Sequence, residues 1–295
     1  MSKYEGVALL KELMAAEAGV YAGRNIVDDL GFTVDEVCQF GEEGTLIEHG
    51  IGIGDYFIMQ VADHKGVMRS FTMEIAGIDH YTDTMYGSVE HHVDWISKEI
   101  AYENVPWNKT NYNNSGYNGD GDTISPFAGS NIKMWLNAES GTTADKKSVD
   151  YTTTGFLARL QSSPDPNAQA WARHLKEKYC IMGWRDSSAG NLTEDNAWGA
   201  EEIGKLWLPT EVEIWGRVIW GDKTYGAIYG TQYPIFKRNG AIAKRRVDNG
   251  SLGNWWTATP HLGSTSNVCY VGSSGCALCS YASFSRYGFP VCGRT

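Results

Sequence analysis

The sequence predicts an α+β protein of short strands and few helices, preceded by a small helical N-terminal region. Three observations predict this. Helical spacing of apolar residues dominates the first 48 positions, and runs rich in aromatic and β-branched residues begin at Gly54. After about residue 178, short strand-like segments joined by Gly, Ser and Asn follow one another too closely for a long helix.

In the first region Val7, Leu9, Leu10, Leu13 and Met14 fit one helix. A break follows at Gly19 to Gly23, and Val20, Ile26, Val27 and Leu30 suit a second helical turn. Thr33 with Glu36 matches a capping box opening a short helix through Val34, Val37 and Phe40. Residues 1–48 are therefore expected to form an attachment or oligomerisation region ahead of a domain spanning 49–295. DYFIMQVAD and SFTMEIAGIDHY read as strands joined by a hairpin at HKGVMR. The polar stretch WNKTNYNNSGYNGDGD reads as a loop, and NIKMWLNAE from Asn131 resumes a helical pattern. Further strands are expected in GKLWLPTEVEIWG, TYGAIYGTQYPIF, NWWTATP, NVCYVGSSG and YGFPVC.

Composition narrows the function. With 42% hydrophobic and 20% charged residues, and 11 Trp and 16 Tyr against 8 Pro, the 295-residue chain can bury a sizeable core and is neither disordered nor collagen-like. A net charge of -10, with basic residues gathered only in Lys237 to Arg246, leaves no basic face for tracking phosphates, so nucleic acid is not an expected partner. The N-terminus has no secretory pattern and no run of 18 apolar residues occurs. The expectation is synthesis in a cytoplasm, without a signal peptide and without membrane insertion. Cys38, Cys180, Cys269, Cys276, Cys279 and Cys292 show no repeated spacing and are expected to be reduced thiols.

The tail is chemically unusual. Ser251 to Thr295 holds eight Ser, six Gly and four of the six Cys, but no Asp, Glu or Lys, where an ordinary solvated surface would carry those charges. A Ser/Tyr/Gly-rich, nearly charge-free face resembles an antibody paratope in composition, with Tyr giving contact area and Ser and Gly giving adaptable hydrogen bonds. A buried sheet with Gly/Ser turns is the alternative.

Four motifs in order carry a family resemblance: IAGIDHY at 75–81; WNKTN at 107 with MWLNA at 134; KLWLPTEVEIWG with TQYPIF; and NWWTAT, CYVGSSG and YGFPVC. Together they resemble, over roughly residues 50–295, a domain of unknown function from gut bacteria and their phages, of the C-type-lectin-like class that also contains the formylglycine-generating enzymes. More narrowly, the chain is similar to the variable proteins of diversity-generating retroelements, whose hypervariable positions lie on a C-type-lectin fold near the C-terminus. The usual ending there is close to Gly-Val-Arg-Pro; here it is Gly288-Phe289-Pro290-Val291-Cys292. Adenine-directed mutagenesis of Asn codons yields Ser, Gly, Tyr, Cys, His, Thr, Arg, Phe and Ala but not Lys or Glu, an alphabet the tail fits.

The resemblance implies a non-catalytic receptor- or ligand-binding protein, virion-associated or surface-displayed, with a protein or glycan on a bacterial surface as partner. A phage tail role implies a homotrimer, although the sequence shows no sustained heptad. By the same likeness the display surface lies near 255–290, on Thr257, Thr259, His261, Ser264, Ser266, Ser273, Ser274, Cys276, Cys279, Tyr281, Phe284, Arg286 and Tyr287. The strand around Cys269, Tyr270 and Val271 and the final strand are scaffold. Of the adjacent pair Trp255 and Trp256, alternation sends at most one into the core; Trp207, Trp215 and Trp220 are framework.

Other clusters read as structural. His80, His91, His92 and Asp94 with Asp79 and Asp83 have metal-ligand chemistry, but Asp79-His80 opens a turn after a strand, so loop anchoring is expected. Asn118, Asp120 and Asp122 resemble half an EF-hand whose twelfth position is Gly129 rather than Glu. No cofactor or metal is expected. Cys276-Ala-Leu-Cys279 is a lone CxxC. It raises, through the formylglycine-generating likeness, the alternative of a copper-dependent cysteine oxidase, although the surrounding residues do not match. A structural virion protein without a variable face is the other alternative.

Overall fold

The computed structural model describes residues 23–63, 65–81, 90–101, 105–113, 126–138, 155–183, 198–221, 230–237, 245–246 and 250–295. They form a mixed α+β fold of antiparallel sheets, as the sequence predicts. The helices are α1 (Val34–Glu43), α2 (Asn131–Leu136), α3 (Phe156–Gln161), α4 (Pro166–His174), α5 (Glu211–Trp215) and α6 (Pro234–Lys237). The main sheet contains β1 (Tyr56–Ala62), β2 (Met68–Ile78), β3 (Val93–Ala101), β6 (Arg245–Arg246) and β7 (Leu252–Gly253) in that order, and β11 (Phe289–Arg294) also pairs with β3. β4 (Lys178–Gly183) pairs with β5 (Trp198–Gly204), and β8 (Trp255–Pro260), β9 (Asn267–Val271) and β10 (Ala277–Tyr281) form a three-stranded sheet ordered β10-β9-β8.

The capping box opens α1 as expected: Glu36 N donates to Thr33 Oγ1 at 3.2 Å and Thr33 N to Glu36 Oε2 at 2.8 Å. Gly44, at φ 71°, ends the helix in the left-handed conformation that glycine adopts without strain. The expected β1–β2 hairpin also forms. Asp63 builds its turn by accepting from Lys65 N and Val67 N at 2.8 and 3.0 Å.

β1 is an edge strand, and its outer backbone groups are covered by side chains from α3, α4 and their connection. Arg159, Ser163 and Asn167 donate to the carbonyls of Ala62, Gln60 and Ile58, while Asp165 accepts from Gln60 N. That blocks pairing with another strand.

Three expectations are corrected. First, a boundary at residue 48 does not divide the packing. Ile26, Val34, Val37, Cys38 and Leu46 belong to the same apolar core as β1–β3 and β11, and Asn25 bridges Tyr56. The separate N-terminal region can then concern only residues 1–22, which lie outside the described residues. Second, of the segments 204–216 and 224–236, expected as strands, the first contains α5 and the described part of the second opens α6. Thr210 and Glu213 form a second capping box that nucleates α5 after Pro209, overriding the β-branched content of TEVEIW. Third, Trp255 and Trp256 are both fully buried, because β8, unlike β10, is covered on both faces.

The small sheet is tied to the rest through these tryptophans. Trp256 Nε1 donates to Val105 O at 2.9 Å, Trp107 Nε1 to Thr257 O at 3.1 Å, and the Trp256 backbone N to Gly288 O at 3.1 Å. No helix among the described residues is long and apolar enough to cross a membrane.

Candidate ligand-display hairpin

The β9–β10 hairpin carries most of the exposed tail, and its hydrogen-bond parity fixes which way each side chain points. Gly272 N donates to Cys276 O and Ala282 N to Ser266 O, so the directly bonded pairs are 266/282, 268/280, 270/278 and 272/276. Residues 277, 279 and 281 therefore aim their backbone groups at the outer edge of β10. Cross-strand partners share a face, so Tyr270 stands with Leu278, and Cys269 with Cys279 on the opposite side.

The first face is an aromatic step. Trp256, opposite Tyr270 in the β8–β9 register, lies edge-on to Tyr287 at 4.8 Å; Tyr287 stacks on Tyr270 at 4.3 Å, and Phe284 leans on Tyr287 at 4.9 Å. The Arg286 guanidinium lies 5.9 Å from the Phe284 ring centre. Burial and a hydrogen bond to Tyr287 hold the Tyr270 phenol above its ordinary range, so its hydroxyl is neutral. Half-exposed rings over a buried indole, with one cation and no carboxylate, suit apolar or π-rich ligand surfaces that also offer hydrogen bonds.

The second face is ordered by one buried acid. Glu211 Oε2 accepts from the backbone N of Ile219, Trp220 and Gly221 at 3.0, 3.1 and 3.0 Å, pinning that loop beside β10. Trp220 then donates Nε1 to Ala277 O at 3.1 Å and stacks against His261 at 5.5 Å. One outward carbonyl of β10 is thereby covered, which shields part of a sheet edge. Glu211→Ala should release the loop and cost roughly 3 kcal/mol, since several buried N–H groups lose a charged acceptor. Hydrogen exchange should show faster amides at 219–221; unchanged protection there would contradict the arrangement.

The expected contact residues do not form one patch. Phe284 and Arg286 lie beside the first face, with the Cys276 thiol exposed near it, whereas His261, Cys279 and Tyr281 belong with the second. Ser273 and Ser274 are exposed at the hairpin turn, which Asn254 Oδ1 holds by accepting from Ser273 N at 2.8 Å. Ser264 and Ser266 share a hydrogen bond in the preceding loop, braced by Asn113, and Thr259 is half-buried with Oγ1 accepting from Glu211 N. Thr257 is a correction: it is fully buried, its hydroxyl donating to Cys269 O at 2.9 Å where the β8–β9 register shifts. Tyr287 is also largely covered, by the Trp256 and Tyr270 rings.

Tyr270 and Leu278 on the hairpin, and Trp220 beside it, are partly exposed, although the sequence marks Tyr270 and Trp220 as scaffold. Alternation along NVCYV would have placed Tyr270 opposite Cys269. Nothing local marks Trp220, whose position depends on Glu211.

The remaining polar groups build an internal network. Lys178 Nζ donates to Glu213 Oε1 at 2.5 Å and Tyr233 Oη at 2.8 Å; Tyr233 donates to Asp94 Oδ2 at 2.8 Å; and Arg294 grips Asp94 through two bonds of 2.8 and 3.0 Å. It joins β3, β4, α5 and β11. Burial alone would raise the Asp94 carboxyl, but Arg294 and Lys178 outweigh it and hold the group well below the usual carboxylate range. Burial lowers the pKa of His80, stacked on Tyr233 at 4.2 Å, and of His92.

All three shifts are downward, so their stabilisation is present above the unfolded-state values and lost as pH falls through the folded ones. Stability should therefore start to fall below about pH 6.5 through the histidines and drop further below about pH 4 through Asp94. Denaturant titrations from pH 8 to 3 would check this, and a flat profile above pH 4.5 would contradict the histidine part.

Asp79, whose φ is 48°, anchors the His91–His92 segment by accepting from His91 Nδ1 at 2.8 Å and His92 N at 2.9 Å. Asp83 and the 118–122 acidic loop lie outside the described residues. Among the described residues no three His, Cys, Asp or Glu side chains are grouped to hold a metal ion. Cys38, Cys269, Cys276, Cys279 and Cys292 are unbridged, and burial pushes the Cys38 thiol up to about 12.

No family model matches the chain, and neither a curated protein nor a solved structure is significantly similar to it.

Proposed function

We propose that the chain is a non-catalytic binding protein that presents the β9–β10 hairpin and its flanking loops to a protein or glycan on a bacterial surface, as the variable proteins of diversity-generating retroelements do on a C-type-lectin-like fold. The observation that supports this most is the separation of roles in the tail. Trp255, Trp256, Val268, Cys269, Val271 and Phe289 are buried, whereas Ser273, Ser274, Cys276, Leu278 and Tyr281 on the hairpin and Arg286 in the loop after it are exposed, without a carboxylate among them. Side chains with little share in the core can change without unfolding the frame. A virion-associated or surface-displayed homotrimer is part of the same proposal and rests on the family likeness.

The test is binding of the purified chain to panels of bacterial cells and glycans, alongside a Leu278→Ser/Tyr281→Ser/Arg286→Ser variant. The variant should melt within about 2 °C of the parent, since exposed substitutions rarely exceed 0.5 kcal/mol, and should lose binding at least tenfold. A folded variant that binds equally well would move the site elsewhere.

A further inference from the structure

The CxxC in the tail is not a side-by-side pair. Cys276 lies opposite Gly272 in a bonded position, whereas Cys279 lies three residues on, so alternation turns their side chains to opposite faces of β10. Cys279 has a different neighbour. It is the direct cross-strand partner of Cys269, and the ladder parity makes 269/279 a pair without direct backbone bonds. In such pairs the Cα atoms approach to about 4.5 Å with the side chains side by side, within the Cα range of roughly 4.4–6.8 Å that a disulfide spans. Cys269 is fully buried and Cys279 half-exposed, so one thiol is reachable from solvent and the other lies beneath it.

We propose that Cys269 and Cys279 are a latent cross-strand disulfide site, closed by exchange with a low-molecular-weight disulfide, that ties the outer strand of the display hairpin to its neighbour. This is independent of the binding reading. The Cys279 thiolate attacks one sulfur of the reagent, RSSR, forming a mixed disulfide and releasing RS⁻. The Cys269 thiolate then attacks the Cys279 sulfur and expels the second RS⁻. Two thiols are oxidised to one disulfide, RSSR is reduced to two RSH, and the two thiol protons end on the released thiols. Burial and the nearby Glu211 carboxylate push both thiols above their ordinary range, consistent with a dithiol that persists until a disulfide is supplied and exchanges faster in alkali.

The test uses the full chain, treated with oxidised glutathione at about pH 8.5, where a larger thiolate fraction speeds exchange. It is then alkylated in denaturant and cleaved with chymotrypsin, which cuts after Tyr270, Leu278 and Tyr281. The expected product is a peptide ending at Tyr270 linked to Cys279-Ser280-Tyr281, unchanged in Cys276→Ser and absent in Cys279→Ser. Amides of 277–281 should exchange more slowly after oxidation. A Cys276–Cys279 link, or glutathione left on Cys279 with Cys269 alkylated, would overturn the proposal.

Discussion

Lys178→Ala is expected to lose about 3–5 kcal/mol of folding stability and to melt about 10 °C below the parent, the largest effect of any single polar substitution here. Lys178 and Glu213 have no side-chain exposure, and removing the ammonium leaves a carboxylate in a site walled by Trp207, Tyr81 and Tyr233. The cation also lies 3.6 Å from the Trp207 ring centre, an attraction that grows when both partners are dry. The charge explanation is separable from lost packing. Lys178→Met keeps most of the volume and should remain strongly destabilised, whereas Lys178→Met/Glu213→Gln removes the orphaned charge. The Gln oxygen can still keep one of the two bonds that Glu213 now accepts through separate oxygens, from Tyr81 Oη or from Thr210 N. Chemical denaturation should therefore show the double variant recovering half or more of the loss. If it is as unstable as Lys178→Met, the network acts through packing rather than charge.

Trp256→Ala is the corresponding prediction for the apolar frame, at about 3–5 kcal/mol. The indole is fully buried, hydrogen-bonded to Val105 O, and lies under Tyr270 and Tyr287. Its loss should empty the bed of the aromatic step and raise hydrogen exchange along β8 and β9. Tyr281→Ala offers the contrast, because Tyr281 is 58% exposed and should cost no more than about 0.5 kcal/mol. Equal destabilisation by the two substitutions would mean that frame and display are not separate on this hairpin.

What the sequence made legible was what short range determines. The capping box at Thr33, the β1–β2 hairpin, the helix at Asn131 and the strands at 255–260 and 267–271 each depend on neighbours close in sequence, and each forms where the pattern put it. TEVEIW is helical rather than extended because the Thr210–Glu213 capping box, itself a local signal, opens α5. Burial of both Trp255 and Trp256 was not legible, since it needs Val105, Trp107 and Gly288 brought to the small sheet from distant sequence. Thr257 was misplaced for a related reason. The register shift after Trp256 breaks simple alternation and turns its hydroxyl inward to Cys269 O. The outward side chains of 273–286 were largely legible from composition, but their division between two faces required the ladder parity.

The central claim, that a buried frame carries a replaceable ligand face, is tested most directly by sequencing many sibling copies of this gene and plotting substitutions by position. The account predicts adenine-specific changes concentrated at exposed positions such as Ser273, Ser274, Cys276, Tyr281 and Arg286, with Trp255, Trp256, Val268, Val271 and Phe289 constant. Substitutions spread evenly along the chain, or sparing the tail, would contradict it.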